Sequence, residues 1–241
     1  MGEYDDGFTT TTRSNVVTRL REEILSGRVP HGTRLRQAEV AARFGISTTP
    51  VREAFRELAT LGLVEIQAHR GAVVHRLSSQ ERTQIYEVRI LVEPVSVAWS
   101  APLITGDVIE EAHQVLKAMR EIGNPDAAAA MNRKFHSLIV GACGNDQLRD
   151  LVINLLDLST PYIVQLSESS RGEAERQAAE HEQILLACER GDPAEAYRAS
   201  LHHLAHRDGD WAASSARWLP FDLQSLLAAG PEHALPEPGP V

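Results

Sequence analysis

Residues 45–62 read GISTTPVREAFRELATLG, and the way this stretch divides its side chains decides the fold of the front of the chain. At 3.6 residues per turn, Val51, Ala54, Phe55, Leu58 and Leu61 fall on one helix face, which must be the core side. Thr48, Thr49, Arg52 and Arg56 fall on the other. Pro50 sits in the first turn, where its missing N–H costs nothing, and Ser47 or Thr49 is placed to cap the exposed amides. Just before it, QAEVAARFG gives a shorter helix closed by Gly45, a residue suited to the left-handed turn past a helix end.

Further out, a first helix is expected from a cap at Ser14 or Asn15, with Val16, Val17, Leu20 and Ile24 as its apolar stripe, ending at Ser26-Gly27. VPHGTRL reads as an extended connection. After Gly62, LVEIQAHRGAVVHRLS alternates apolar and polar residues around AHRG, the pattern of a small β-hairpin. Helix, helix, turn, helix, hairpin is the order of a winged helix-turn-helix. From Ser79 onward the pattern is helical throughout, with breaks near Gly106, Gly123-Asn124-Pro125, Gly141 to Asn145, Ser169 to Gly172 and Gly191-Asp192-Pro193. These breaks separate about six helices of one antiparallel bundle. The fold class is therefore mainly α: a disordered tail over 1–12, a winged helix-turn-helix domain over 13–77, a helical domain over 78–213, and a Pro-rich, partly disordered tail over 214–241. Within that tail FDLQSLLAAG has the composition of one more short helix.

Composition supports this division. The 241 residues, 43% hydrophobic, suffice for two cores, and an aromatic content of 5% disfavours a sandwich or barrel of many strands. The net charge is −9 but unevenly distributed: residues 13–76 hold eleven arginines, no lysine and six acids, whereas residues 77–241 hold thirteen basic and twenty-four acidic residues. A basic front on an acidic body points to an anionic partner for the front alone. Cys143 and Cys188 lie in helical apolar patterns with no CxxC pair, so both are expected to be reduced and buried in a cytoplasmic protein. No stretch approaches the roughly 18 apolar residues of a membrane span, and the acidic N-terminus has no signal-peptide pattern.

A helix start bearing small hydroxyls, with two arginines behind it, suits the DNA major groove, where Arg can bond a guanine edge in bidentate fashion. The alternative for the arginines alone is a solvated helix face, which the preceding helix, the glycine turn and the basic hairpin disfavour. The segment LREEILSGRVPHGTRLRQAEVAARFGISTTPVREAFRELATLGLVEIQAHRGAVV resembles the DNA-binding domain of GntR-family bacterial transcription regulators. The resemblance implies a homodimer on palindromic double-stranded operator DNA, contacted by Arg34, Arg36, Ser47, Thr48, Thr49, Arg52 and Arg56, with His69, Arg70 and Gly71 of the wing approaching the minor groove. The family usually carries Arg directly after the serine, where this chain has Thr48, so the base preference at that contact is left open.

In the body, His136 shares a helix face with Asn132, Ile139, Val140 and Cys143; His181 shares one with Ile184, Leu185 and Cys188; and His203 lies with Ala196, Ala199 and Ser200. Three inward histidines from three helices are either hydrogen-bonded core residues or ligands of one divalent metal. The segments YEVRILVEP, NRKFHSLIVGACGN and EHEQILLACERGDPAEAYRASLHHL resemble the FCD ligand-binding domain of FadR-type GntR regulators. In metal-containing FCD domains a side chain four before the first histidine joins three histidines, which here implies Asn132, His136, His181 and His203. Many relatives have Asp at the first position; Asn supplies a neutral amide oxygen, which makes the site one charge unit more positive and favours an anionic effector. Zinc is the first candidate, and nickel, manganese and iron also suit imidazole ligands. Arg89 is the matching carboxylate clamp, with Glu93 at i+4 to hold its guanidinium, against the plainer reading of a helix-face ion pair. The expected function is that of a regulator, a repressor in the first instance, with a helical effector-binding and dimerisation domain and no catalytic residues. A metal-free acyl-CoA sensor is the alternative. A metallohydrolase ranks lower, because there is no HExxH and the acids beside His181, Glu180 and Glu182, fall on other faces of its helix.

Overall fold

The computed structural model describes residues 6–68, 70–121, 124–167 and 171–205. His69, residues 206–241 and the FDLQSLLAAG segment expected to form a helix lie outside the described residues. Two compact units divide between Ser78 and Ser79.

The first unit comprises α1 (Asp6–Leu25), β1 (Arg34–Leu35), α2 (Gln37–Phe44), α3 (Thr48–Thr60), β2 (Val64–Gln67) and β3 (Gly71–Val74). Helix α3 buries Val51, Ala54, Phe55 and Leu58, and α1 packs against it through Val16, Val17, Leu20 and Ile24. Gly45 ends α2 at φ 66°, and its amide meets the carbonyls of Ala41 and Ala42, the left-handed cap that glycine allows. The sheet is antiparallel in the order β1-β3-β2, with Val64 opposite Val74 and Leu35 opposite Ala72.

Three local readings are corrected. Helix α1 begins at Asp6, not at a cap on Ser14 or Asn15, so residues 6–12 are helical and not a disordered tail; the threonine run holds no proline to stop it. Ser47 stands at the N-cap of α3 with extended backbone, yet no side-chain capping hydrogen bond is made. The extended connection contains β1, a two-residue strand too short to show an alternation of its own.

The second unit holds α4 (Ser79–Ser100), α5 (Gly106–Glu121), α6 (Pro125–Val140), α7 (Asp146–Ser167), α8 (Arg171–Glu189) and α9 (Pro193–Ala205). Its breaks follow local chemistry. Asn124 caps α6 by accepting from the Ala127 amide at 3.1 Å, with Pro125 in the first turn. Gly191 turns the chain at φ 62° and Asp192 accepts from the Glu195 amide at 3.0 Å, so α9 starts at Pro193. Val97, Phe135, Ile139, Leu156, Ile184 and Leu185 belong to the main core, and Tyr86, Ile90, Leu201 and Leu204 form a second cluster where α4 meets α9. Cys143 and Cys188 are free and buried, and burial, helped by Glu189, pushes the Cys188 thiol up to about 12. Among the described residues no helix is long and apolar enough to cross a membrane.

Candidate DNA-binding surface and candidate metal centre

In the first unit, the start of α2, the outer face of α3 and the wing surround one groove of about 630 Å³ lined by Arg34, Arg36, Gln37, Ala38, Arg52, Arg70 and Gly71. Four arginines from three separate stretches of sequence thus gather on one side of the unit. Ser47, Thr48, Thr49 and Arg56 are also exposed. Neighbouring acids hold the arginines loosely: Arg36 Nη1 lies 3.1 Å from Glu39, Arg56 Nη1 2.9 Å from Glu53, and Arg52 Nε 3.6 Å from the same Glu53. Arg34 donates to Gln67 Oε1 of β2 at 3.2 Å. Gly71, at φ 95°, has an internal reason to be glycine: a Cβ there would stand 2.1 Å from the Leu35 carbonyl oxygen, so any side chain would push β1 off β3.

In the second unit, His136 of α6, His181 of α8 and His203 of α9 are each no more than 1% exposed, and one ring nitrogen of each lies within 4.8 Å of the others. The Nε2 atoms of His136 and His181 are 3.2 Å apart. Two nitrogens each at 2.0–2.1 Å from a single tetrahedral ion would be about 3.3 Å apart, so the spacing fits ligands of one metal. Asn132, one turn before His136 and on the same face, is also buried. Phe135 walls the cluster on one side, its ring 5.0 Å from that of His181.

Carboxylates support two of the rings. Glu93 Oε1 lies 3.0 Å from His136 Nδ1, while its Oε2 accepts from Arg89 Nε at 2.9 Å and lies 2.8 Å from Nη2. Arg89 Nη1 donates to Ser159 Oγ of α7 at 3.0 Å, and its guanidinium stands 5.0 Å from the centre of the Tyr86 ring. Burial opposes ionisation of Glu93, but the charge of Arg89 and the hydrogen bond from His136 outweigh it and hold the carboxyl well below the usual carboxylate range. Burial likewise works against the charged form of Arg89, and Glu93 and Tyr86 more than restore it.

On the far side, Glu180 Oε2 lies 3.0 Å from His203 Nδ1, and Oε1 accepts from Arg176 at 2.6 Å. The expectation put Glu180 on another face of the helix than His181 and did not include its contact with His203. Glu180 does turn away from the direction of His181, but α9 packs alongside α8 and brings His203 to it. Ser159 and Arg176 were also missed. Arg176 had a legible signal, the i,i+4 spacing to Glu180, whereas Ser159 is seventy positions from Arg89 and gave none.

A small winged unit with an arginine groove is thus followed by a helical unit with a buried histidine cluster. The chain belongs to the gntR family of bacterial regulatory proteins, matched over residues 12–74, and carries an FCD domain, matched over residues 84–206. It is 35% identical to the probable D-xylose utilization operon transcriptional repressor of Paenarthrobacter nicotinovorans, over 80% of this chain and 88% of the relative. To the gluconate operon transcriptional repressor of Bacillus subtilis (strain 168) it is 26% identical, over 92% of each. The solved structure of E. coli McbR/YncC shares the fold at a TM-score of 0.73 and 19% identity, covering 84% of this chain and 98% of that one.

Proposed function

We propose that the protein is a FadR-type transcriptional repressor. In this reading residues 13–77 bind a palindromic operator as a homodimer, and residues 78–213 bind a divalent metal and a small carboxylate effector. The single observation that carries the DNA reading is the gathering of Arg34, Arg36, Arg52 and Arg70 around one groove. Arginine–phosphate contacts release counterions, so binding falls steeply with salt. A palindrome needs two copies. Leu91 and Trp99 of α4 and Leu151 of α7 form an exposed apolar strip suited to a second copy. Trp99→Glu is expected to shift the dimer to monomer by light scattering; an unchanged dimer would remove this face from the account.

His136, His181 and His203 would hold the ion, with Asn132 as a fourth donor, and zinc is the first metal to try. When bound, the ion would supply a Lewis-acid point for the carboxylate of an effector. Arg89 is the second grip. Its charge is already met by Glu93, so an incoming carboxylate is taken at Nη1, the nitrogen bonded to Ser159 and not to Glu93. Sugar acids are the first panel to test, since one relative is named for a gluconate operon. Calorimetry with this panel, with and without chelator, tests the reading: binding is expected only in the metal-loaded protein, and undiminished binding after chelation would overturn it. A switch further requires that the effector bind one arrangement of the protein better than another, and a preference of roughly 1–3 kcal/mol gives the usual range of coupling.

A further inference from the structure

Two side-chain chains of the same construction reach the histidine cluster from opposite ends of the sequence. On α4, Arg89 precedes Glu93 by one helical turn; on α8, Arg176 precedes Glu180 by the same spacing. In each, one carboxylate oxygen takes the arginine and the other faces Nδ1 of a histidine on another helix, His136 of α6 or His203 of α9, both at 3.0 Å. An ionised carboxylate only accepts hydrogen bonds, so each Nδ1 must carry the proton. In the neutral ring, the form that can ligate a metal, Nε2 is then left with its lone pair.

We propose that Glu93 and Glu180 are positioning residues of the metal centre, each fixing one histidine in the Nδ1–H tautomer so that the Nε2 lone pairs of His136 and His203 meet that of His181. This rests on the metal reading of the three histidines. A carboxylate behind a metal-bound imidazole sets its tautomer and ring orientation and raises its basicity. The arginines have a separate part: each neutralises its glutamate, so the two relays add no net charge to the centre, and an anionic effector meets no carboxylate repulsion there. The relays also differ. Arg89 and Glu93 are fully buried, whereas Arg176 is partly exposed, so the α8 relay can be altered with less harm to folding.

The test uses the full chain, stripped by chelator and titrated with Zn²⁺ against a competing chelator, together with ¹⁵N NMR of the stripped protein to read each imidazole tautomer. Wild type is expected to bind one Zn²⁺ per chain, with His136 and His203 in the Nδ1–H form. Glu180→Met, which removes the acceptor, is expected to weaken Zn²⁺ binding roughly 10- to 100-fold and release the His203 tautomer. Glu180→Gln, which keeps an acceptor, should recover part of that loss. Glu93→Met should do to His136 what Glu180→Met does to His203, and if this buried variant does not fold, the Glu180 series and the wild-type spectra still decide. Wild-type affinity in Glu180→Met, or an Nε2–H tautomer at His136 or His203 in wild type, overturns the positioning role while Zn²⁺ binding itself stands. No Zn²⁺ binding by wild type overturns the metal reading, and the positioning role with it.

Discussion

Arg52 on α3 and Arg89 on α4 carry the same guanidinium beside a glutamate, but Arg52 is 52% exposed and 3.6 Å from Glu53, whereas Arg89 is 0% exposed and 2.8 Å from Glu93. In water such a pair contributes about 0–1 kcal/mol, so Arg52 can leave Glu53 for a phosphate or a base at little cost. In the interior, breaking the pair strands a charge, and Arg89 is held in place by Glu93, Ser159 and the neighbouring Tyr86. One unit keeps its arginines exposed and loosely held for a partner; the other holds Arg89 in a fixed position, where an effector would meet it already oriented by Glu93 and Ser159.

The comparison breaks first at Arg89. Arg89→Ala is expected to destabilise the protein by about 3–5 kcal/mol in denaturant titration, because Glu93 is left buried without its cation. Arg52→Ala should shift the same measurement by less than about 1 kcal/mol, and equal losses would remove the distinction. The loss at Arg52 belongs to DNA binding instead. Fluorescence anisotropy at fixed salt should show Arg52→Ala weakening operator binding by about 1–3 kcal/mol and relaxing selectivity at one position. Arg36→Ala should weaken operator and random DNA alike. Equal effects of Arg52→Ala on both DNAs would end its base-reading role. The smallest effect is expected at Glu39, which sits 3.1 Å from Arg36. Glu39→Ala should leave stability within about 1 kcal/mol and tighten DNA binding slightly by freeing Arg36; a large loss of stability would mean the exposed pairs are not loosely held.

What was legible in the sequence follows the same contrast. The α3 stripe Val51, Ala54, Phe55, Leu58 is a strong periodic signal, and all four side chains are buried, whereas Leu61, expected on the same face, stands at the C-cap and is only half-buried. The inward turn of His136, His181 and His203 could likewise be read from their apolar neighbours. Periodicity says which way a side chain points along its own helix, but not which helix lies opposite. Glu180 was therefore set aside although it meets His203, twenty-three positions away. The i,i+4 spacing of Arg89 and Glu93 is the same in a surface pair and a buried one, so the sequence could not tell that the pair is fully enclosed. Strand β1 and the early start of α1 were missed because two residues are too few for a pattern and a polar threonine run has no apolar stripe to mark it.

Elemental analysis of the full chain, after incubation with Zn²⁺ and desalting, tests the three-histidine centre most directly. One equivalent of metal per chain is expected in wild type and none in His181→Ala of unchanged helical content. Background metal in wild type, or an equal amount in the variant, would contradict the account.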